Sequence, residues 1–115
     1  MKYTGSCQCG AVTFDVDTTI EKVIACNCSR CRRTGSLLAA ARKADFTLMS
    51  GKDALTEFRF NKQIAHHYFC STCGIQPYAE GKGRDGSDTV MVNVRCLDGV
   101  DPDSLDVIKF DGAKI

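Results

Sequence analysis

A chain of 115 residues has room for one domain with a core, and 15 Lys and Arg against 14 Asp and Glu leave a formal charge of +1, which gives no electrostatic footprint for nucleic acid or an anionic membrane surface. No apolar run approaches the roughly 20 residues of a membrane helix, and the N-terminus lacks the basic-then-apolar layout of a secretory signal, so a cytoplasmic protein is expected. Eight cysteines fall below the share of about 8–10% that marks a disulfide-built secreted scaffold, and their grouping favours metal over disulfides.

In chain order, Gly5 to Gly10 is a glycine-bracketed turn that brings the Cys7 and Cys9 thiols to one point. Val12, Phe14 and Val16 then alternate with Ala11, Thr13 and Asp15, the period of a strand with one buried face. Asp17 to Thr19 is a loop, and Val23 to Ala25 a short buried strand that ends in Cys26, Cys28 and Cys31. Arg32 to Gly35 reads as a turn, and Leu37 to Ala41 is too short an apolar run to assign to strand or helix by period.

Phe46, Leu48 and Ser50 form another alternating face, closed by the turn signal Gly51-Lys52-Asp53. Leu55 to Phe60 and Ile64 to Phe69 read as a hairpin turning at Asn61-Lys62, which delivers the chain to Cys70-Ser-Thr-Cys73-Gly74, a zinc-knuckle turn. Gly81 to Ser87 is a polar hairpin connection without the ending of a phosphate loop, Met91 to Arg95 alternates again, and Val107 to Phe110 offers a last strand. The result is a mainly β chain in one domain over residues 1–115, with little helix and no internal repeat.

Cys7, Cys9, Cys70 and Cys73 together complete a four-thiolate shell, which is the closed ligand set of a structural zinc. Cys26, Cys28 and Cys31 then remain for a second ion. Three protein ligands keep one position of a tetrahedral zinc for water or substrate, the arrangement of a catalytic site. Three other readings of the second set stay open: a structural zinc closed by a further side chain, a redox cluster, or thiols that bind metal only when it is abundant. Arg32 and Arg33 are either anion-holding groups or a solvated pair. Cys96 is expected in the core, with an approach to the second site as the alternative. His66 and His67 point to opposite faces of a strand, so at most one can face either site, and surface or packing roles are expected for both.

Four segments, Gly-Ser-Cys-x-Cys-Gly-x-Val-x-Phe (5–14), Cys-x-Cys-Ser-x-Cys-Arg-Arg-x-Gly (26–35), Phe-Cys-x-x-Cys-Gly (69–74) and Asn-Val-Arg-Cys-Leu-Asp (93–98), resemble the glutathione-dependent formaldehyde-activating enzyme family, which includes centromere protein V. The resemblance spans nearly the whole chain in the family's order and spacing. It implies a β-tent, antiparallel sheets stapled by zinc, with a structural zinc on Cys7, Cys9, Cys70 and Cys73 and a catalytic zinc on Cys26, Cys28 and Cys31. It also implies two zinc ions per chain and a carbon–sulfur lyase acting on the adduct of glutathione, or another small thiol, with an aldehyde, as in S-hydroxymethylglutathione. The competing class is a non-catalytic zinc β-tent scaffold that binds a protein partner. A zinc ribbon for nucleic acid ranks last, because the basic face that phosphates require is missing.

Overall fold

The computed structural model describes residues 1–59, 65–83 and 85–114. Among the described residues ten strands form two sheets, and the fold is the mainly β arrangement of a β-tent. A three-stranded sheet is ordered β1 (Lys2–Ser6), β2 (Thr13–Asp17), β5 (Phe46–Ser50). The other sheet has seven strands in the order β10 (Asp106–Phe110), β3 (Lys22–Cys26), β4 (Leu38–Arg42), β9 (Asp88–Asn93), β8 (Tyr78–Lys82), β7 (His66–Cys70), β6 (Leu55–Phe58). No helix among the described residues is long and apolar enough to cross a membrane.

The core follows the period-two pattern. Val12, Phe14 and Val16 are completely buried, as are Val90 and Val92 at the middle of the large sheet and Val94 just after its strand. Leu38 to Arg42 is a strand because it lies between β3 and β9 and pairs with β9 residue by residue, from Leu38↔Asn93 to Arg42↔Thr89. Ala39 and Ala41 are buried while Ala40 and Arg42 are exposed, so the strand has one covered face, and the alternation is hidden from the sequence because alanine stands on both sides. Where the two sheets meet, Phe46 of the small sheet packs on Phe14 and on Tyr78 of the large one, at centroid distances of 5.3 and 4.6 Å. Tyr68 extends the cluster at 5.1 Å from Tyr78.

Four elements depart from the sequence reading, the first being β8, a strand where none is expected, whose last residues Gly81 and Lys82 fall in the stretch read as a loop. Lys2–Ser6 is a strand, invisible to patterning because only Gly5 of it is buried, at the edge of its sheet. Arg32 to Gly35, expected as a turn, is instead the end of a short helix, α1 (Ser29–Thr34). The Cys28 thiol caps its N-terminus by accepting from the Cys31 amide, Gly35 closes it in the left-handed conformation at φ 70°, and Arg32 and Arg33 complement its C-terminal dipole. The last strand pairs parallel to β3, with Phe110 beside Cys26, whereas the other strand pairs are antiparallel. The turn expected at Asn61-Lys62 lies outside the described residues, but the strands flanking it pair as a hairpin, Leu55↔Cys70 to Phe58↔His67.

Candidate functional site

Two cysteine clusters result, one between the sheets and one at the edge of the large sheet. The thiols of Cys7, Cys9, Cys70 and Cys73 lie within 4.8 Å of one another. Cys7 and Cys9 follow β1 of the small sheet and Cys70 ends β7 of the large one, so the cluster spans both. Both loops turn tightly: the Gly10 amide donates to the Cys7 carbonyl at 3.3 Å and the Gly74 amide to the Cys70 carbonyl at 2.8 Å. Each turn needs a positive φ, 80° at Gly10 and at Gly74, a conformation open to glycine at little steric cost.

The set fits a tetrahedral ion. Cys9 Sγ is 3.6 Å from both Cys7 Sγ and Cys70 Sγ, against an edge of about 3.8 Å for a tetrahedron with metal–sulfur bonds of about 2.3 Å. Backbone amides favour the thiolate form at two of the four positions. The Ile75 amide is the main cause that brings Cys73 down to about 6, and the Cys73 amide is the main cause that brings Cys70 below the ordinary thiol value. At Cys9 the Ala11 amide pulls the same way, but desolvation and the neighbouring thiols carry the group up to about 11.

The second set, Cys26, Cys28 and Cys31, also has its sulfurs within 4.8 Å, and no fourth His, Cys, Asp or Glu joins it among the described residues. Cys26 ends β3, Cys28 caps α1 and Cys31 lies one turn into it. The Cys28 amide donates to Cys26 Sγ at 3.4 Å and the Cys31 amide to Cys28 Sγ at 3.3 Å. Burial pushes the Cys28 thiol up, but hydrogen bonds from the Cys31 and Arg30 amides and from the neighbouring sulfurs outweigh it, so the group ends below the ordinary value. Cys31 and Cys26 are pushed up, chiefly by burial.

The parallel pairing of β10 brings further residues to this cluster that sequence reasoning did not find. Asn27, between two of the cysteines, donates from Nδ2 to Asp111 at 3.0 Å and accepts at Oδ1 from the Ala113 amide at 3.0 Å, while its own amide donates to the Phe110 carbonyl at 3.1 Å. These bonds strap the chain after β10 across the thiols, and Gly112 comes so close that a Cβ there would collide with Cys26 Sγ.

Arg30 is the other missed residue. Its Nε donates to Gln76 Oε1 at 2.8 Å, and its guanidinium lies over the Phe58 and Phe69 rings at 4.7 and 5.7 Å. Gln76 is buried and fixed in turn, its carbonyl accepting from Asn93 Nδ2 at 3.0 Å. A groove of about 310 Å³ opens beside α1, lined by Ser29, Arg30, Arg33, Thr34 and Phe58. Of the two arginines singled out in the sequence, Arg33 lines this groove and Arg32 does not. A helical reading of residues 29–34, signalled by Gly35 after two basic residues, would have put Arg30 and Arg33 on one face.

The two histidines divide as the alternation requires. His66 pairs with Glu57 on one face of the hairpin, and His67 is buried on the other, opposite Phe58. Burial, with Arg30 and His66 adding, pushes His67 down to about 4. Neither belongs to a cysteine cluster among the described residues. Cys96 packs against the core, as expected, with its thiol 3.9 Å from the Gln76 carbonyl. Burial raises it to about 11, and the thiols that add to this are Cys7 and Cys73, so it lies toward the four-thiol cluster and not the second one.

The comparisons with known proteins agree with this architecture. The chain is similar to a Rhodobacter sphaeroides protein whose crystal structure was determined as a Northeast Structural Genomics target, with 34% identity and a TM-score of 0.80 over 91% of this chain and 99% of that one. The family profile described as glutathione-dependent formaldehyde-activating enzyme matches residues 2–107, from β1 into β10 and across both cysteine clusters. The chain belongs to the glutathione-dependent formaldehyde-activating enzyme family.

Proposed function

We propose that the protein is a zinc-dependent enzyme of the carbon–sulfur lyase type that forms and cleaves the adduct between a small thiol, such as glutathione, and an aldehyde, with S-hydroxymethylglutathione as the adduct the family name points to. The observation that carries this reading is the three-thiol set, Cys26, Cys28 and Cys31, without a fourth protein donor among the described residues. That ligand number belongs to catalytic zinc, and the four-thiol set Cys7, Cys9, Cys70 and Cys73 to structural zinc. Residues 1–115 would act as one such domain with two zinc ions, in the reducing cytoplasm that keeps eight thiols free.

When bound at the second set, zinc supplies a Lewis acid that favours thiolate over thiol and polarises a carbonyl. The residues around it determine how much of that power is used. Three thiolates make the set strongly anionic, which weakens a Lewis acid and leaves positioning of the two reactants as the larger contribution. The Cys28 and Cys31 amides spread part of the charge by donating to sulfur, and the Arg30 cation acts electrostatically on Cys28 and Cys31. In the reaction the thiol loses its proton, sulfur bonds to the aldehyde carbon, and a proton ends on the carbonyl oxygen. The reverse breaks the same carbon–sulfur bond, and neither direction needs an oxidant.

The test is the exchange between free formaldehyde and its glutathione adduct, followed by NMR line broadening at fixed reactant concentrations. Two-zinc protein should accelerate the exchange above the uncatalysed rate and the Cys28→Ser variant should not. No acceleration by protein shown to hold both ions would sink the proposal in favour of the non-catalytic scaffold. That second reading draws on the exposed apolar side chains of β10, Val107, Ile108 and Phe110, which offer a surface to a protein partner.

A further inference from the structure

We propose that Asn27 is a positioning residue of the three-thiol site, acting through the strap of residues 110–113 that it latches across Cys26. The inference rests on the zinc reading above and deepens it: this latch, together with the ligands, sets the place left for a reactant at Cys26, Cys28 and Cys31.

The three thiols are not held alike. Cys28 and Cys31 belong to α1 and its cap, where the Cys31 amide donates to Cys28 Sγ at 3.3 Å. Cys26 lies before the helix, at the end of β3, and its sulfur accepts from the Cys28 amide at 3.4 Å. Its next support is the strap. Gly112 packs so closely on Cys26 Sγ that no side chain fits between them, and the place its Cβ would take is also 3.5 Å from Cys28 Cβ and from Phe110 Cδ2. A sulfur packed against backbone follows that backbone when it moves, which is how groups behind a ligand shell tune a metal site.

Asn27 holds the strap in that position. Its own amide donates to the Phe110 carbonyl at 3.1 Å, which carries the β3–β10 ladder one residue past Cys26. Its side chain uses both ends, with Nδ2 donating to Asp111 Oδ1 at 3.0 Å and Oδ1 accepting from the Ala113 amide at 3.0 Å. Asn27, Asp111 and Ala113 are exposed, and none of residues 110–113 joins either buried core cluster. A segment without core packing depends on its hydrogen bonds and opens locally at low cost when they are broken. The family profile ends at residue 107, so the strap lies outside what that profile describes.

The chemistry of the latch supplies its own control. Asn27→Asp keeps an acceptor for the Ala113 amide but sets a second carboxylate against Asp111, and like charges at that distance repel. Combining Asn27→Asp with Asp111→Asn exchanges donor and acceptor, restores the bond and leaves the charge of the pair unchanged. Damage to the cysteine cluster itself is not reversed by that exchange, whereas an opened latch is.

The experiment uses zinc-loaded protein of measured stoichiometry and three readouts: amide hydrogen exchange at Ala113 by NMR, stopped-flow transfer of the second ion to a chromophoric chelator, and iodoacetamide labelling of Cys26 read by mass spectrometry. In Asn27→Asp the Ala113 amide should exchange about tenfold faster, the factor that corresponds to about one hydrogen bond. The second ion should leave at least about tenfold faster, and Cys26 should label faster, while the four-thiol ion is retained. The double variant should bring all three rates back near the wild-type values. An unprotected Ala113 amide in the wild type, or a double variant as fast as Asn27→Asp, overturns the latch. Faster Ala113 exchange with no change in ion release or Cys26 labelling overturns the positioning role. One ion per chain at full loading sinks the zinc reading instead, and the latch then stands or falls on Ala113 exchange and Cys26 labelling.

Discussion

Gly112 shows how a single missing side chain can set the shape of a thiol cluster that could hold a metal. Its backbone lies outside the left-handed region, so alanine there carries no conformational penalty and the effect of substitution is purely steric. The new Cβ would meet Cys26 Sγ first and the Cβ of Cys28 next, at 3.5 Å. Either the sulfur or the strap tied to Asn27 must move, and both outcomes disturb the three-thiol set while leaving the four-thiol set untouched. Gly112→Ala is therefore expected to lower zinc affinity at the second site by about 10–100-fold, the range found when residues supporting a ligand shell are changed. Competition against a chromophoric chelator, with stoichiometry measured by elemental analysis, checks this. Two ions held with wild-type affinity would show that the strap does not shape the site.

At the level of elements, the β6–β7 hairpin carries a consequence of its alternation. His66 meets Glu57 on one face, while His67 is only 7% exposed and faces Arg30 and the aromatic rings. Because burial holds His67 near 4 in the folded chain, below an ordinary histidine at about 6.5, the unfolded chain takes up a proton that the folded chain refuses between those values. The stabilisation is complete above about pH 6.5 and is lost as pH falls toward 4, amounting to about 2 kcal/mol by pH 5. Urea unfolding of the wild type and of His67→Gln at pH 7 and pH 5 isolates this contribution, since zinc loss affects both proteins alike. The variant should lose less stability over that interval, and equal losses would assign the acid sensitivity to other groups.

This hairpin was legible in the sequence, as were β2 and β5, because large apolar residues recur at every second position, with Phe14 and Val16 fully buried and Phe46, Leu48 and Leu55 half-buried against the core. The elements that escaped did so for identifiable reasons. β1 is an edge strand with one buried residue, and α1 is shorter than two full turns, with cysteine doing the capping that serine or aspartate usually does. β10 has five exposed residues, and its partner β3 lies some eighty positions earlier, so nothing local records that the pairing is parallel or that residues 110–113 return to Cys26. The cysteine ligand sets were readable because thiol spacing is a local signal. The residues around them, Asn27, Arg30, Gln76 and Gly112, acquire their roles only through tertiary contact.

For the whole molecule, the two clusters differ in what they join. The four-thiol set ties the small sheet to the large one, in parallel with the Gly5↔Leu97 bridge, the Asp98 amide bond to the Thr4 carbonyl at 2.8 Å and the Phe46–Tyr78 contact. Apparent zinc binding in small domains is worth about 10–16 kcal/mol, as large as the net stability of a domain of about 5–15 kcal/mol, so on the proposed zinc reading the remaining contacts are expected not to hold the sheets together once a ligand is lost. The three-thiol set joins only β3, α1 and the segment after β10 at one edge of the large sheet, away from the completely buried valines of β9. Cys73→Ser should therefore lose zinc from the four-thiol set and unfold, with the loss of ordered β-sheet signal in far-ultraviolet circular dichroism. Cys28→Ser should keep that signal and hold one zinc per chain in place of two. A graded chelator titration of the wild type should likewise release the second-site ion before the circular dichroism changes, because that ion has three protein ligands against four. A Cys28→Ser chain that unfolds like Cys73→Ser would make both ions structural, and the catalytic role assigned to the three-thiol set would fall with that result.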